Sequence, residues 1–562
     1  MRMLSVLLLS AVLFGFTDPK DYPQDYFRSP VSSAVLRLAG TFGELRPNHF
    51  HAGIDVKARV GDPLFAAAEG YVSKIEIDKS GYGKALYIAH PNGYTTLYAH
   101  MNNFTPAIET YVKQMQYERE EFEMELEPAP DQFVFKKGDK IGAVGLTGAT
   151  LGPHLHFEIR ETETFDPINP LLFGFKVYDN RPPRMQQLKV YQLNEKHQIL
   201  RDERKSLTGG GNAYGISGDT ITVKSTEVGF ALKAYDPMDN VHNRNGIYEM
   251  SVFQDDSLVY RFNMERFPDE DTRYLNAHLD YEEWRAGNGY FYRTYVLPYN
   301  KLPIYLHKPN NGVVHLSAGQ TSSISIQTED WHGNVSTLSF VVKREVGDNE
   351  TSELDYDFII PHYEETLIQD GDLELFFPVG VFYEDLHLKY EARASESGFA
   401  PTYTINDRSI PVHDYFGIGI RAKNLPARLK DKAFICYRGR TNCGGKWRGD
   451  KLYTGVRALG EFTIEVDTIA PSIRPSRFKS YMRGYSYMSF KIWDNFSTAG
   501  NVPGLRYDAT VDGDWILLEY DSKNALLKHK FDGTIKRGKH QLRLVVTDAM
   551  GNEQVFERTF TL

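Results

Sequence analysis

The sequence has few of the features that mark several classes of protein. Two cysteines among 562 residues exclude a disulfide-dense miniprotein. The apolar run from Leu4 to Phe16 is shorter than the roughly 20 residues that a membrane-spanning helix needs, and the composition excludes a polytopic membrane protein. A net charge of −10 gives no overall positive field, so no nucleic-acid partner is expected. With 41% hydrophobic and 25% charged residues, the chain is globular rather than disordered.

The N-terminal residues 1–17 predict a secretory signal peptide. Arg2 precedes the short apolar run, and a run of this length suits a signal better than an anchor. No clean A-x-A site follows, so Gly15 or Thr17 would have to serve for cleavage, and no cysteine follows that could carry a lipid. An uncleaved anchor or a buried strand is the alternative. We therefore expect an exported protein.

The aromatic and turn-forming residues predict a mainly β protein. The 35 Tyr, 34 Phe, 46 Gly and 27 Pro favour strands and turns over helix bundles. Residues 86–100 alternate apolar and polar side chains on both sides of Pro91-Asn92-Gly93, which predicts a hairpin. Residues 61–77 and 136–148 predict further short strands, so an antiparallel β domain is expected over residues 18–175.

One segment of this domain breaks the β pattern. Ile108, Val112, Met115 and Phe122 have helical spacing, which predicts an amphipathic helix from 106 to about 121, followed by a strand over 122–127. Seven Glu lie between Ala107 and Glu127. A solvated acidic face is the simpler interpretation, and a lid that shapes a substrate groove is the alternative.

The rest of the chain contains an internal echo. TEDWHGNVSTLSFVVKR (328–344) is similar to VVTDAMGNEQVFERTFTL (545–562), and DNRPPRMQQLKVY (179–191) is similar to DTIAPSIRPSRFKSY (467–481). Repeated short strands with turn signals favour β-sandwich modules of the immunoglobulin-like kind. The expected division after the signal is a domain of residues 18–175 with a helical insertion at 106–127, an immunoglobulin-like domain 176–346, a β domain 347–466 and an immunoglobulin-like domain 467–562.

Several histidines in the first domain could bind a metal. His51 and Asp55 lie in HAGID, and His154 and His156 lie in HLH, where alternate strand residues share one face. Imidazole and carboxylate are zinc ligands, and a catalytic zinc keeps three protein ligands. His51, Asp55 and one His of the HLH pair would supply such a set. Because His49 could pair with His51 on one strand face, spacing alone leaves the ligands open.

Four motifs in this domain resemble the lysostaphin/LytM family of zinc metallopeptidases. They are NHFHAGID, YTTLYAHM, KKGDKIGAVGLTG and GPHLHFEI, in the order of the family, within residues 35–170. The resemblance implies that Zn²⁺ is bound by His51, Asp55 and His156 and that His100 and His154 are catalytic. The insertion after Met101 departs from the family and affects the expected substrate specificity more than the expected zinc binding.

The resemblance also implies a function. Members of the family cut peptide cross-bridges of bacterial peptidoglycan by means of a zinc-activated water, so the expected substrate is the peptidoglycan peptide stems. The β-sandwich tail beside NHFHAGID resembles Gram-negative envelope proteins, which favours a location in the periplasm or cell envelope and cleavage of the direct cross-link. The C-terminal β domains are candidates for contact with an envelope protein partner. The alternatives are a non-catalytic scaffold that activates other wall hydrolases, or a surface-binding protein.

The two cysteines, Cys436 and Cys443, leave two alternatives open. In an oxidising compartment they could close a small loop, and otherwise they are free thiols. Because the segment around them through Gly449 contains no histidine, a metal site there is not expected.

Overall fold

The structure is a computed structural model that describes residues 22–347 and 355–562. It has 47% strand and 9% helix, which confirms the mainly β prediction. The expected signal peptide lies outside the described residues. Within the described part of the chain, every helix is too short or too polar to cross a bilayer.

A twisted antiparallel sheet forms the centre of the N-terminal region. Its turn at Asn92-Gly93 connects two neighbouring strands as the sequence predicted, and Gly93 has the positive φ of 85° that such a turn requires. In spatial order the main strands are Met124–Leu126, Gly70–Ile77, Lys84–Ala89, Tyr94–Ala99, His154–Glu161, Ile54–Lys57 and Leu38–Gly40, with Val134–Phe135 and Pro167–Ile168 pairing at the side.

Shorter elements surround this sheet. A second sheet consists of Met101–Phe104, Lys140–Val144 and Pro63–Phe65. Two strand pairs complete the region: Val35–Leu36 pairs with Lys176–Val177, and Leu45–Arg46 pairs with His49–Phe50. A 3₁₀ helix, Pro170–Phe173, lies near its end.

The predicted insertion consists of the helix Pro106–Arg119 and the strand Met124–Leu126. Proline is favourable in the first turn, where its missing N–H is not needed, and the helix ends at Glu120 in a left-handed conformation. Ile108 and Val112 are buried against the sheet, as their spacing predicted.

The insertion also meets the C-terminal region, which the sequence did not predict. Lys113 forms an ion pair with Asp532, and the rings of Tyr117 and Trp515 lie 5.2 Å apart, edge to face. A groove of about 500 Å³ runs between the end of the helix and the strands around Arg506–Val511. The outer face of the helix is therefore partly an interdomain contact rather than a solvated face alone.

Residues 184–344 form a larger β region. Its strands are, in spatial order, Arg244–Asn245, Glu227–Pro237, Arg184–Leu193, Ile199–Gly210, Ala213–Ile216, Val335–Arg344, Thr321–Glu329, Glu249–Gln254, Ser257–Asn263 and Tyr305–His307, with Thr220–Val223, Tyr292–Arg293 and Val314–His315 at the side. Short helices connect them: the 3₁₀ helices Asp269–Tyr274 and Pro309–Gly312 and the α-helices Leu275–His278 and Tyr281–Arg285. Phe42, Leu45 and Phe50 of the first region pack into this core, so the two regions share an apolar interface.

Residues 358–466 contain two main sheets that enclose a core of their own. One consists of Thr366–Asp370, Leu373–Phe377, Phe416–Arg421, Lys451–Val456 and Lys446–Arg448; the other consists of Tyr390–Arg393, Thr402–Ile405, Gly460–Val466, Ala433–Tyr437 and Thr441–Asn442, joined by Ser497–Thr498 from the last region. The pair Phe358–Ile360 with Leu386–Leu388 and the 3₁₀ helix Ala427–Lys432 complete it. Cys436 and Cys443 are free thiols here.

The last region packs two four-stranded sheets around a fourth core. The sheets are Ser472–Arg477, Tyr487–Trp493, Leu526–Lys530 and Glu519–Asp521, and Asp514–Trp515, Arg506–Val511, Lys539–Thr547 and Glu553–Thr561; the 3₁₀ helix Ser522–Asn524 connects two strands. The sequence echo is visible in the fold, because both echoed segments form a hairpin closed by an Asp-x-x-Gly-Asn turn.

Candidate metal centre

Two neighbouring strands and the segment before them bring the predicted ligands together. His156 on the strand His154–Glu161 lies directly opposite Asp55 on the strand Ile54–Lys57. Side chains of directly opposed residues point to the same face of a sheet and come close together. His51 precedes the second strand and turns back toward it. All three side chains are buried.

The donor atoms of these residues converge on one point. His51 Nε2 and His156 Nδ1 each lie 3.0 Å from Asp55 Oδ1, and the two nitrogens lie 3.0 Å from each other. Two imidazole nitrogens and one carboxylate oxygen match the ligand chemistry of a three-ligand zinc centre. The three residues that the family resemblance named are therefore the three that the fold places together.

The remaining polar atoms of this set have partners of their own. His51 Nδ1 donates to the carbonyl oxygen of Thr41 at 2.7 Å, and His156 Nε2 lies 2.7 Å from Glu158 Oε1. Arg46 Nη2 donates to Asp55 Oδ2 at 2.6 Å, which leaves Oδ1 for a metal. Metal-binding histidines in proteins are oriented by such outer contacts, so the residues fit a zinc ion.

Burial and neighbouring charges set the protonation of this group. Burial lowers the pKa of His51 to about 4, which keeps its imidazole neutral at pH 7. Although burial also acts to lower the pKa of His156, hydrogen bonds to Asp55 and Glu158 raise it to about 9. Burial opposes ionisation of Asp55, but the surrounding histidines hold the pKa of its carboxyl well below the usual range.

His154 and His100 lie beside the three converging donors. His154 Nε2 is 3.3 Å from Asp55 Oδ1, and the rings of His154 and His100 lie 4.9 Å apart. The Nδ1 atoms of both histidines face backbone carbonyl oxygens at 2.9 Å, those of Gly152 and Thr147. A proton held on Nδ1 leaves Nε2 as the ring atom that can accept a proton, and in His154 this atom also faces Asp55 Oδ1. Burial, helped by the positive charge of His156, lowers the pKa of His100 to about 3.

The backbone of His100 is strained. Its φ is +58°, a left-handed conformation that non-glycine residues adopt rarely. The residue lies between the strands Tyr94–Ala99 and Met101–Phe104, where the chain passes from one sheet to the other. This backbone conformation directs the imidazole toward the candidate metal centre. Strained residues are common at functional sites.

The sequence reasoning missed a buried polar group behind His156. Glu158 and Arg160 are fully buried and form an ion pair, and Tyr82 donates a hydrogen bond to Glu158 Oε1 at 2.6 Å. The signal was present, because Glu158 and Arg160 continue the alternation that begins at His154 on the same strand face. Arg46 was missed as well, although it lies just before NHFHAGID.

Two further histidines of this domain, His90 and His49, lie apart from the centre. His90 is buried and contacts the carbonyl oxygen of Glu69 and the hydroxyl of Thr96. His49 is exposed, and its Nδ1 lies 2.9 Å from the carbonyl oxygen of Pro47. Pairing of His49 with His51 is therefore not observed, because His51 is engaged with Thr41 and Asp55.

Comparisons with known proteins agree with this geometry. Residues 49–117 match peptidase family M23, and residues 359–467 match the Zu5-like domain. The chain is 36% identical over 140 residues to the DD-carboxypeptidase/endopeptidase Mpg of Neisseria meningitidis serogroup B, covering 24% of this chain and 26% of Mpg. It is 31% identical over 136 residues to the peptidoglycan DD-endopeptidase ShyC of Vibrio cholerae, covering 24% of this chain and 25% of ShyC.

Solved structures give alignments of the same extent. A zinc containing peptidase from Vibrio cholerae aligns with 26% of this chain and 39% of its own, at 24% identity and a TM-score of 0.20. The chain thus spans about a quarter of the length of the curated relatives named above. The family match includes His51 and Asp55 of the converging group. The match to peptidase family M23 extends over residues 49–117, and it agrees with the resemblance to the lysostaphin/LytM family that the motifs of the N-terminal region indicated.

Proposed function

We propose that this chain is a zinc-dependent endopeptidase that hydrolyses peptide cross-links of bacterial peptidoglycan. The observation that carries the proposal is the convergence of His51 Nε2, Asp55 Oδ1 and His156 Nδ1, with two further histidines alongside. Support for the substrate comes from relatives named as peptidoglycan or DD-endopeptidases.

In this mechanism, His51, Asp55 and His156 would hold the metal. When bound, Zn²⁺ supplies Lewis-acid chemistry that polarises a peptide carbonyl and acidifies water near neutral pH. Nε2 of His154 or of His100 would accept the single proton that water loses, and the imidazolium so formed, beside the other ring, would stabilise the negative charge that develops on the carbonyl oxygen. Their Nδ1 atoms remain fixed by Gly152 and Thr147, so neither ring needs to reorient during the reaction.

We propose further that the bond cut is the direct D-alanyl cross-link to diaminopimelate, which is consistent with the DD-endopeptidase names of the relatives. Action on peptidoglycan would require export, in agreement with the apolar N-terminal run, and places the protein in the periplasm or cell envelope of a Gram-negative bacterium. The presence of four hydrophobic cores, of which the first two meet at an apolar interface, supports the proposed division into four domains, and we propose that the C-terminal domains contact an envelope partner.

The test is incubation of the full mature chain with sacculi and purified cross-linked muropeptides, with and without a chelator, followed by mass identification of products. We expect His156→Ala to lose both zinc and cleavage, because one of three ligands is removed. We expect His154→Ala to keep zinc and lose most turnover. His315→Ala, a change of an exposed histidine far along the chain, is the matched control and should behave as wild type.

Two results would separate this proposal from its alternatives. Cleavage that persists in zinc-free His156→Ala would refute the zinc mechanism. A zinc-loaded wild-type chain that cleaves nothing, yet stimulates other wall hydrolases, would favour the non-catalytic scaffold.

A further inference from the structure

Two groups of aspartates far from the zinc centre each bring three carboxylates together. Within each group, one oxygen per residue lies within 4.8 Å of the others. The first group is Asp179, Asp236 and Asp330, and the second is Asp467, Asp494 and Asp548. Where water does not screen them, negative charges this close repel each other strongly. Each group is therefore expected to need a positive charge beside it.

The first group is buried and incompletely satisfied. Asp236 is 1% exposed, and among the described residues its Oδ1 has no hydrogen-bond partner, and neither has Oδ2 of Asp179. Burial and the neighbouring aspartates raise the pKa of Asp236 to about 9. The nearby guanidinium of Arg181 donates instead to the carbonyl oxygen of Met238. An ionised carboxylate in this position is costly unless a cation is bound.

A neutral side chain beside this group is also without partners. Asn245 is 2% exposed, and neither its Oδ1 nor its Nδ2 makes a hydrogen bond to any residue of 22–347 or 355–562. It lies directly opposite Asp236 in the antiparallel pairing of the strands Glu227–Pro237 and Arg244–Asn245. Opposed residues present their side chains on the same face, within about 5.5 Å at Cβ. A buried amide oxygen without a donor is therefore available beside the three carboxylates.

The second group repeats this construction in the last domain. Oδ1 of Asp494 is buried without a hydrogen-bond partner in the part of the chain that the structure describes, and burial with the neighbouring Asp467 and Asp548 raises the pKa of its carboxyl. The nearby ammonium of Lys432 donates to the carbonyl oxygen of Met550 rather than to a carboxylate. The arrangement therefore occurs twice, in parts of the chain 200 to 300 residues apart.

The turns that hold the two groups are also equivalent. Asn334 donates to Asp330 Oδ2 at 2.8 Å and to the carbonyl oxygen of Asp179 at 3.4 Å. In the last domain, Asn552 donates to Asp548 Oδ2 at 2.8 Å and to the carbonyl oxygen of Asp467 at 3.1 Å. The internal repeat in the sequence thus corresponds to a repeated spatial arrangement of aspartate oxygens and the asparagine that contacts them.

We propose that each group is a calcium site. The available ligands are carboxylate and amide oxygens, which hard cations prefer, and zinc would instead favour nitrogen or sulfur. Calcium binds oxygens at about 2.3–2.6 Å, so two ligands of one ion lie at most about 5 Å apart. The oxygens of each group all lie within 4.8 Å of one another, which is inside this limit.

The position of the two sites suggests what calcium would do. Asp179 lies between the strands Lys176–Val177 and Arg184–Leu193, where the peptidase region meets the next one. Asp467 lies between the strands Gly460–Val466 and Ser472–Arg477, at the entry to the last region. In each case the other two aspartates belong to the domain that follows. A bound ion would therefore fix the connecting segment to that domain at each junction.

The test is calcium titration of the full chain, carrying its zinc, by calorimetry and thermal unfolding. We expect about two calcium ions per chain with dissociation constants below roughly 1 mM, and a higher Tm on binding. Asp236→Asn and Asp494→Asn should each reduce the stoichiometry to about one, and the double variant should bind none. Asp256→Asn and Asp514→Asn, which change exposed aspartates of the same two domains, should retain both sites.

Misfolding of the variants can be distinguished from loss of a ligand. Because asparagine is neutral, it avoids the free-energy cost of burying an aspartate that must either be protonated or carry a charge, so each variant without calcium should unfold at the same temperature as the calcium-free wild type or higher. The proposal is overturned by a wild-type chain that binds no calcium at millimolar concentration or by an unchanged stoichiometry in the double variant. An equal rise in Tm with Mg²⁺ overturns the assignment to calcium.

Discussion

The Nζ atom of Lys523 lies 2.6 Å from the carbonyl oxygen of Leu146, although the two residues are 377 positions apart. The same ammonium lies 3.2 Å and 3.3 Å from the carbonyl oxygens of Gly148 and Thr150. These carbonyls belong to the loop that leads into His154. The last domain thus holds in place the loop that borders the candidate active site.

Removal of this contact should impair turnover without removing zinc. In Lys523→Ala the loop 146–152 loses a charged donor shared by three carbonyls, so we expect cleavage of muropeptides to fall about threefold to tenfold. Lys530→Ala is the control, because Lys530 pairs with Glu519 inside its own domain. Hydrogen exchange should quicken at 146–152 in the first variant alone. Unchanged exchange and turnover would mean that the contact has no role in ordering the loop.

Glu158 should control the affinity for zinc although it is too far along the strand to be a ligand. In Glu158→Gln, the carboxylate that faces His156 Nε2 loses its charge, so His156 is oriented less firmly and is a weaker donor. We expect zinc affinity to fall about 10-fold to 100-fold, measured by competition with a chelator. Turnover at saturating zinc should recover substantially. Wild-type affinity in this variant would show that the contact is dispensable.

The buried aspartates should make the calcium-free protein less stable as pH rises. The pKa of Asp236 is about 9 in the folded chain against the ordinary value of 3.8 for an aspartate, so between these values the folded state binds more protons than the unfolded state. Stability therefore falls from about pH 4 to pH 9, and Asp179, with a pKa raised by burial to about 6, contributes in the same direction. Asp236→Asn should raise Tm more at pH 8 than at pH 6 in calcium-free buffer. An equal effect at both pH values would contradict this explanation.

Both cysteines should be poorly reactive in the folded protein. Burial raises the pKa of Cys436 to about 12 and that of Cys443 to about 11, so the thiolate is scarce at pH 8. We expect alkylation by iodoacetamide, followed by intact mass, to be at least about a hundredfold slower than in urea. Rapid labelling of the native chain would contradict the burial of these thiols. Absence of labelling in urea without reductant would indicate a disulfide.

Much of the first domain could be predicted from the sequence because its signals are local. Asn92-Gly93 specifies a tight turn whatever surrounds it, and the spacing of Ile108 and Val112 specifies which helix face is buried. The ligands required more than spacing, since HAGID and HLH left His49, His51 and both HLH histidines open. Resemblance to a family named His51, Asp55 and His156, and the register that opposes Asp55 to His156 explains why these two side chains meet.

Contacts between distant parts of the chain could not be predicted in this way. The acidic insertion offers an ordinary exposed helix face in the sequence, yet Tyr117 packs against Trp515. Similarly, the echoed Asp-x-x-Gly-Asn turns indicated repeated hairpins, but nothing in them indicated that Asp236 and Asp494 would complete a carboxylate group.

The sequence by itself determined the β class, the inserted helix, the internal repeat and the residues able to bind a metal, because alternation, turn chemistry and residue type act over a few positions. Tertiary structure alone decided which side chains share a site. In the folded chain Glu158 is buried behind His156, and Lys523 contacts the loop before His154. Three aspartates also come together at each of two places. Such encounters depend on strand register and domain packing, and these are fixed by the summed burial of many side chains rather than by any local pattern.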